Sequence, residues 1–324
     1  RVTAVVVPYH LRSDAPPYAR PIVRDHAGPV PQKATEDWPA KIRSLLGRAL
    51  ENHRWRQQEC INLIPSEQSA SPMVRRLSIL DPAGRYAEHR ALRPFYDAEV
   101  FYYQGTDFIQ SVEALLKDEM ARFLGCREVE VRPVSGQMAN TAVFSALLDY
   151  LNREDRKSEP RRIRSVLNNH IIRGGHLSAQ PMGALRDFIR TDPRLEKPAV
   201  VNFPVLQENP YRIDVEATKK VIDEYRPELI IFGKSMVLHK EPVAEIRAFL
   251  KEQRFETVVM YDMAHVLGLI GPRFQAPFAE GADLVTGSTH KTFFGTQRGV
   301  AGGNWREGQK EWALWEAIQS RTFP

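Results

Sequence analysis

The sequence contains few cysteines and no hydrophobic stretch long enough to cross a membrane. Cys60 and Cys126 are the only two cysteines in 324 residues, so a disulfide framework and a cysteine-rich metal site are excluded. The apolar run at residues 2–7 has neither the length of a membrane span nor the flanks of a signal peptide. These absences predict a cytoplasmic protein without a membrane partner.

Signatures of nucleotide and nucleic-acid binding are also missing. No GxGxxG motif follows an apolar strand-like run, and no GxxxxGK(S/T) phosphate loop occurs. The 45 basic and 40 acidic residues leave a formal charge of only +5. The densest basic run, residues 153–164, is interrupted by acidic residues and a proline, which favours a solvated loop. No nucleic-acid partner is therefore predicted.

Short apolar strands alternate with amphipathic helices over most of the chain. Strands are predicted at 129–134, 164–167, 200–203, 229–232 and 257–261, and helices at 107–124, 215–225 and 242–254, with another that ends at residue 150. Because these strands are almost continuously apolar, both faces of their sheet should be buried. The alternation predicts an α/β fold with a mostly parallel sheet between two helical layers, a three-layer α/β/α arrangement.

The first 60 residues differ from the rest. Residues 1–37 are rich in proline and show no sustained periodicity, which indicates an extended arm. From Trp38 onward apolar residues recur at helical spacing and predict an amphipathic helix to about residue 58. We therefore expect an N-terminal arm and helix at 1–60 and one large domain at 61–324.

Lys291 occupies an unusual position for a lysine. An apolar strand-like run at residues 282–285 leads to it, and Ser288, Thr289 and His290 precede it directly. Partial burial would lower the pKa of such an amine and make it a nucleophile toward an aldehyde. The neighbouring hydroxyl and imidazole groups can donate hydrogen bonds to a phosphate. Taken alone, however, a lysine is more often simply solvated.

A second cluster lies upstream, where an apolar run ends abruptly at Asp262 and His265 follows. A buried strand of this kind delivers its carboxylate to the sheet edge at which open α/β folds bind ligands. Pyridoxal phosphate needs a lysine for its aldehyde, a carboxylate for its ring nitrogen and a cup for its phosphate. Lys291 and Asp262 are candidates for the first two, although a lone aspartate at a strand end is more often a helix cap.

A candidate phosphate cup and a candidate ring contact lie nearer the middle of the chain. Ser135, Gly136 and Gln137 follow a predicted strand and begin a helix, which presents free N–H groups and the positive end of the helix dipole to an anion. His176 follows two glycines, so its imidazole can approach a flat ring. The spacing of His170 and His176 does not match a zinc site, and no metal is predicted.

Seven stretches occur together in an order that resembles the serine hydroxymethyltransferase family. They read INLIPSEQSASP, RYAEH, FYYQG, SGQMAN, RGGHL, YDMAHVLGLI and GSTHKTFFGTQRG, and they cover the chain from about residue 55 to its end. The resemblance implies the large domain of a fold type I pyridoxal phosphate-dependent transferase. It also implies cleavage of serine between Cα and Cβ to give glycine, with tetrahydrofolate as the co-substrate that accepts the one-carbon group.

The resemblance assigns roles to individual residues. The implied catalytic residues are Lys291, Glu88, Asp262 and His265. Contacts with the cofactor are implied for Ser135, Gly136, Gln137, His176, Ser235, Asp262, His265, His290, Lys291 and Tyr86. Contacts with the amino-acid substrate are implied for Ser66, Tyr103 and Arg298. A homodimer with shared sites is implied as well, in which Tyr86 and Glu88 serve the site of the other subunit.

Two departures from the family pattern leave alternatives open. Residues 90–99 lengthen the link between Glu88 and Tyr102, in a region where family members contact folate. A β-hydroxy amino-acid aldolase or transaldolase, which needs no folate, is therefore the alternative activity. The family's small C-terminal domain would follow Pro324, and we expect this chain to lack it. A protein without that domain would be incomplete and weakly active or non-catalytic.

Overall fold

The computed structural model describes residues 37–87, 89–91, 99–101, 103–154, 159–193, 196–269 and 274–322. The chain divides into two units, residues 1–63 and 64–324. None of the helices in the described segments is long and apolar enough to span a membrane.

The described part of the first unit is mainly one helix. Helix α1, Trp38–Arg54, begins after Asp37, whose Oδ1 accepts a hydrogen bond from Ala40 N at 3.0 Å. Pro39 in the first turn suits a helix N-terminus because its missing N–H has no partner to lose there. A single π-helical turn, Trp55–Glu59, continues the helix. The predicted helix is confirmed, and none of the residues of α1 is buried.

Helices and strands of the second unit alternate along the chain. Its helices are α2 (Pro72–Leu77), α3 (Asp107–Leu124), α4 (Gly136–Leu151), α5 (Val215–Tyr225), α6 (Val243–Glu252) and α7 (Trp312–Thr322). Its strands are β1 (His89–Ala91), β2 (Glu99–Phe101), β3 (Glu128–Glu130), β4 (Val166–Asn168), β5 (Thr191–Asp192), β6 (Lys197–Pro198), β7 (Val200–Asn202), β8 (Leu229–Phe232), β9 (Val258–Asp262), β10 (Leu284–Ser288) and β11 (Gly299–Gly303).

Seven of these strands form the central sheet, in the order β3-β11-β10-β9-β8-β4-β7. Strands β10, β9, β8, β4 and β7 pair in parallel, whereas β11 runs antiparallel between β10 and β3. Two further pairs, β1 with β2 and β5 with β6, are antiparallel. The mostly parallel central sheet confirms the predicted α/β class.

Helices bury both faces of the sheet. Successive side chains of a strand point to opposite faces, so Ile230 and Phe232 of β8 pack with α3, α5 and α6. Leu229 and Ile231 pack instead with α4 and α7. All four side chains are at most 1% exposed. The predicted three-layer α/β/α arrangement is thereby confirmed.

Element boundaries differ from the prediction where proline and glycine intervene. The strand predicted at 129–134 is confined to β3, because Pro133 has no N–H to donate to a ladder and the chain then turns into α4. The segment that lengthens the link between Glu88 and Tyr102 begins and ends with the antiparallel strands β1 and β2, which the sequence did not predict. Strand β10 extends past the predicted end of its apolar run, as far as Ser288.

Candidate active site

Lys291 lies in the turn that follows β10, at the carboxyl end of that strand. Its half-buried amine is 3.1 Å from Nε2 of His265, which follows the neighbouring parallel strand β9. The turn is held to the same residue, because Thr292 Oγ1 donates to His265 O at 3.0 Å. Burial lowers the pKa of Lys291, and the opposing attraction of Asp262 does not reverse that shift. The fold thus supplies an amine that loses its proton more easily than an exposed lysine does.

Asp262, the last residue of β9, is a buried carboxylate with donors at both oxygens. Its Oδ1 accepts a hydrogen bond from Ala264 N at 3.0 Å. Its Oδ2 accepts one from Asn140 Nδ2 at 2.9 Å and lies 2.5 Å from Nδ1 of His176. Burial would raise the pKa of Asp262, but the charge of His176 and these hydrogen bonds outweigh burial and hold the pKa below its usual value. The carboxylate is therefore ionised at neutral pH although it is only 1% exposed.

His265 is uncharged at neutral pH. Burial lowers the pKa of His265 to about 4, with further lowering by Lys291 and His176 and an opposing effect of Asp262. Among the described residues, the Nδ1 atoms of His265 and His290 are buried without a hydrogen-bond partner. An unpaired buried nitrogen costs free energy. These two unpaired nitrogens indicate that polar atoms of a ligand bind here.

The lowered pKa of His265 predicts a loss of stability in mild acid. Between pH 6.5 and about pH 4, the unfolded chain binds a proton at this histidine that the folded chain does not. The free energy of unfolding should therefore decrease as the pH falls through this window, and it should decrease less in His265→Gln. Urea unfolding at a series of pH values measures the slopes, with the exposed His53→Gln as control. Equal slopes for His265→Gln and the unsubstituted chain would contradict the prediction.

The N-terminus of α4 lies at the same edge of the sheet. Ser135 caps the helix, with its Oγ accepting a backbone hydrogen bond from the first turn at 3.1 Å. The N–H groups of Gly136 and Gln137 belong to that first turn, where they point out of the helix end. Gly136 is buried, and a Cβ at this position would collide with Oγ of Ser288 at the end of β10. Glycine therefore allows the helix to begin close to the strand that leads to the lysine.

Three other predicted site residues lie on loops around this edge. His290 precedes Lys291, and burial together with the lysine charge lowers the pKa of His290. Arg298 N donates to a threonine hydroxyl in the lysine turn at 3.1 Å, while Arg298 itself is exposed. Ser235 follows β8, and its N–H donates to Gly174 O at 2.7 Å. Their contacts with a cofactor or a substrate stay predictions.

His176 makes a contact that the implied role did not include. The resemblance implies that its imidazole covers a pyridine ring, but its Nδ1 bonds to Asp262 in the structure. Its ring lies nearly perpendicular to that of His265, at a centroid distance of 5.1 Å and an angle of 76°. A buried carboxylate requires hydrogen-bond donors, and this imidazole supplies one. The covering role stays a prediction.

Four predicted site residues come from the earlier part of the chain. Tyr86 and Tyr103 are both exposed and pair with each other, with ring centroids 5.6 Å apart. Ser66 lies in a turn before α2. No hydrogen bond or ring contact of the described residues joins Ser66, Tyr86 or Tyr103 to Lys291. Glu88 lies outside the described residues.

Sequence reasoning missed the buried polar residues that hold Asp262 in place. Asn140 of α4 donates to Asp262 and also to Ser178 Oγ, at 2.8 Å. Thr286 of β10 donates in turn to Asn140 Oδ1 at 2.5 Å. These four residues are at most 4% exposed. A polar residue on the apolar face of α4 was the available signal, but its partners lie 38 to 146 positions away in sequence.

The three-layer α/β/α fold carries a lysine and a buried carboxylate at the carboxyl edge of its mostly parallel sheet. This arrangement is that of the fold type I class. Within that class, the chain belongs to the serine hydroxymethyltransferase family, whose family model matches residues 43–311. This finding confirms the family that the sequence motifs predicted.

Individual relatives agree with the family model. A serine hydroxymethyltransferase from Pyrobaculum calidifontis is 38% identical over 268 residues, which cover 82% of this chain and 55% of the relative. One from Pyrobaculum aerophilum is 37% identical over 287 residues, or 88% and 59% of the two chains. One from Archaeoglobus fulgidus is 34% identical over 276 residues, or 85% and 55%. The chain thus spans little more than half the length of these curated relatives.

Proposed function

We propose that residues 61–324 form the pyridoxal phosphate-binding large domain of a serine hydroxymethyltransferase, preceded by an arm and helix at 1–60. One observation carries this proposal. The amine of Lys291 has a lowered pKa and lies 3.1 Å from Nε2 of the neutral His265, three residues after the buried, ionised Asp262. Pyridoxal phosphate requires an amine that reacts with its aldehyde and an ionised carboxylate beside its ring nitrogen, and this sheet edge carries both groups.

The residues of the site fit pyridoxal phosphate group by group. Lys291 would hold the aldehyde carbon, and Asp262 would face the ring nitrogen. The first-turn N–H groups of α4 at Gly136 and Gln137, together with His290, would bind the phosphate, because a helix N-terminus favours an anion. When bound, the cofactor supplies a ring that withdraws electrons from the α-carbon of an amino acid.

Each of these side chains acts through one atom. Burial lets Lys291 Nζ be unprotonated at a lower pH than an exposed lysine. His265 Nε2 is neutral at pH 7 and can accept a hydrogen bond from Lys291 at their 3.1 Å separation. Asp262 is ionised, so its negative charge would favour the protonated form of the ring nitrogen. Ser235 and His265 would donate to the phenolate oxygen.

We infer serine as the substrate from the names of the relatives, and glycine as the product and tetrahydrofolate as the co-substrate from the family resemblance. Ser66, Tyr103 and Arg298 would contact the amino acid, His176 would cover the cofactor ring, and Glu88 would move protons. Cleavage of the Cα–Cβ bond of serine would leave glycine and release a one-carbon unit to the folate.

We also infer that the whole protein is a homodimer, with Tyr86 and Glu88 reaching the site of the other subunit. An exposed apolar face on α3, with Phe108, Val112 and Leu115 between 46% and 63% exposed, supports this inference. Apolar side chains grouped in this way are typical of subunit interfaces. The cytoplasmic location stays a prediction from the sequence.

Visible absorbance and product analysis test the proposed function together. The chain is titrated with pyridoxal phosphate and, as a matched ligand control, with pyridoxine phosphate, which lacks the aldehyde. We expect only the aldehyde form to give the absorbance of a lysine-bound cofactor. We then expect glycine to form from serine at a rate that depends on added tetrahydrofolate.

The other outcomes distinguish the alternatives. Folate-independent cleavage of threonine would favour the β-hydroxy amino-acid aldolase. Binding of the cofactor without cleavage of either substrate would favour the weakly active or non-catalytic alternative. Identical behaviour of the aldehyde and the alcohol would overturn the cofactor assignment.

A further inference from the structure

A second lysine of this region, Lys234, is buried in an ion pair that the proposed chemistry does not use. Lys234 directly follows Gly233 at the carboxyl end of β8, and its Nζ lies 3.0 Å from Oε1 of Glu241. The two side chains are 3% and 2% exposed. Lys234 Nζ also donates to Tyr211 O at 2.8 Å. Its buried ammonium is therefore held by a carboxylate and a backbone carbonyl.

Glu241 joins two loops through its other carboxylate oxygen. Oε2 accepts a hydrogen bond from Asn169 Nδ2 at 2.6 Å and another from Gly233 N at 3.2 Å. The same amide of Asn169 donates to Gly233 O at 3.2 Å. One carboxylate therefore ties the loop after β4 to the loop after β8.

These two loops carry two of the proposed cofactor contacts. From Asn169, the network continues because Gln180 Nε2 donates to Asn169 O at 2.8 Å and reaches His176 O at 3.4 Å. On the other loop, Ser235 N donates to Gly174 O at 2.7 Å. The positions of His176 and Ser235 thus depend on connections that begin at Glu241.

The same carboxylate also acts near Asp262. Gly233 has a φ of +104°, and a Cβ there would collide with the carbonyl oxygen of Asp262. The N–H of Gly233 is held by Glu241 at 3.2 Å. The loop after β8 is therefore packed directly on the backbone of Asp262.

A buried ion pair is a poor source of stability, because the desolvation of two charges offsets most of their attraction. Fixing a unique geometry is the role that such a pair can still serve. We propose that the Lys234–Glu241 pair is a positioning device that sets His176 and Ser235 against the cofactor. Glu241 holds the two loops, and Lys234 neutralises Glu241. This inference rests on the proposed function, since it gives the loops a cofactor to face.

A single and a double substitution test the positioning role. Glu241→Gln leaves the Lys234 ammonium buried without its counter-ion, so the loops should shift. We expect the affinity for pyridoxal phosphate to fall about tenfold, which corresponds to the loss of one hydrogen bond between the shifted loops and the cofactor. The pH midpoint of the absorbance of the bound cofactor should move as well, because Ser235 would donate to its phenolate oxygen.

The double variant Lys234→Met with Glu241→Gln should recover most of both effects. Its amide oxygen still accepts from Asn169 and Gly233, and no unpaired charge remains. The matched control is Asp283→Asn, which breaks the Arg247–Asp283 ion pair just before β10, at the opposite edge of the sheet. This control should leave the cofactor affinity and the pH midpoint unchanged.

Amide hydrogen exchange of the cofactor-free chain separates this inference from the proposed function. Faster exchange at residues 174–176 and 233–236 in Glu241→Gln, but not in Asp283→Asn, is expected. Unchanged exchange there would overturn the positioning role even if no chain bound the cofactor. Faster exchange with unchanged affinity and pH midpoint would reduce the pair to a structural one and also overturn it. Absence of binding by the unsubstituted chain would overturn the proposed function, and the exchange measurement would still decide whether the pair orders the two loops.

Discussion

Replacement of Lys291 by alanine should abolish covalent attachment of pyridoxal phosphate and reduce serine turnover on the order of 10³-fold or more. The reason is that the amine is the proposed point of attachment, and its lowered pKa comes from its own burial. Borohydride reduction followed by intact mass measurement shows whether the cofactor is attached. Alanine fills less volume but removes a buried amine, so the fold should persist.

The control for this substitution is Lys310→Ala, which removes an exposed lysine paired with Glu256 at 3.2 Å. It should retain both attachment and turnover. A cofactor-independent readout is available as well, because the charge of Lys291 helps to lower the pKa of His265. The titration midpoint of His265 should therefore rise from about 4 in Lys291→Ala. If the Lys291→Ala chain still gains the cofactor mass after reduction, the attachment site is wrong.

Replacement of Asp262 by asparagine should lower turnover about 10²- to 10³-fold, the loss typical of one preorganised electrostatic contact. An amide has no negative charge to keep a ring nitrogen protonated. The amide also has one acceptor oxygen where the carboxylate has two. Because His176, Asn140 and Ala264 all bond to this side chain, at least one of these contacts is lost. A moderate decrease of the unfolding midpoint should accompany the loss of turnover.

A cofactor analogue separates these two effects of Asp262→Asn. In an analogue with carbon in place of the ring nitrogen, the carboxylate has no proton to hold. The variant and the unsubstituted chain should then show similar, low turnover. The control Asp283→Asn makes the same change at the opposite edge of the sheet and should not affect turnover. An equally large difference between the Asp262 variant and the unsubstituted chain with the analogue would contradict the counter-ion role.

Local sequence patterns were sufficient for the elements that bury one strong apolar face. Helix α3 ends at the predicted residue, Leu124, and Gly125 then adopts a φ of +69°. Helix α5 and strand β8 also begin and end where predicted. Strand β11 was not predicted because three of its five residues are glycine, which has a low strand propensity. Its strand conformation depends on pairing with β10 and β3. Helix α7 was also missed, although Leu314, Trp315 and Ile318 recur at helical spacing.

In the site too, features that depend on local sequence were predictable and contacts between distant residues were not. Asp262 and Lys291 could be placed at one sheet edge because each follows an apolar run, and parallel strands end at the same side. The contact of His176 with Asp262 joins residues 86 positions apart, and no local pattern indicates it. The pair of Lys234 and Glu241 was likewise hidden, because a charged residue in a loop is expected to be solvated.

The pairing of β3 with β11 has a consequence for the order in which the site is completed. Glu130 lies opposite Ala301, and α4, whose N-terminus is the proposed phosphate site, begins soon after β3. During synthesis, residues 128–130 leave the ribosome long before residues 299–303 exist, so β3 has no strand to pair with until β11 has been made. Contacts this distant in sequence also form slowly. A nascent chain that stops before residue 299 therefore already contains Asp262 and Lys291, while the strand before the proposed phosphate cup has no partner strand in the sheet.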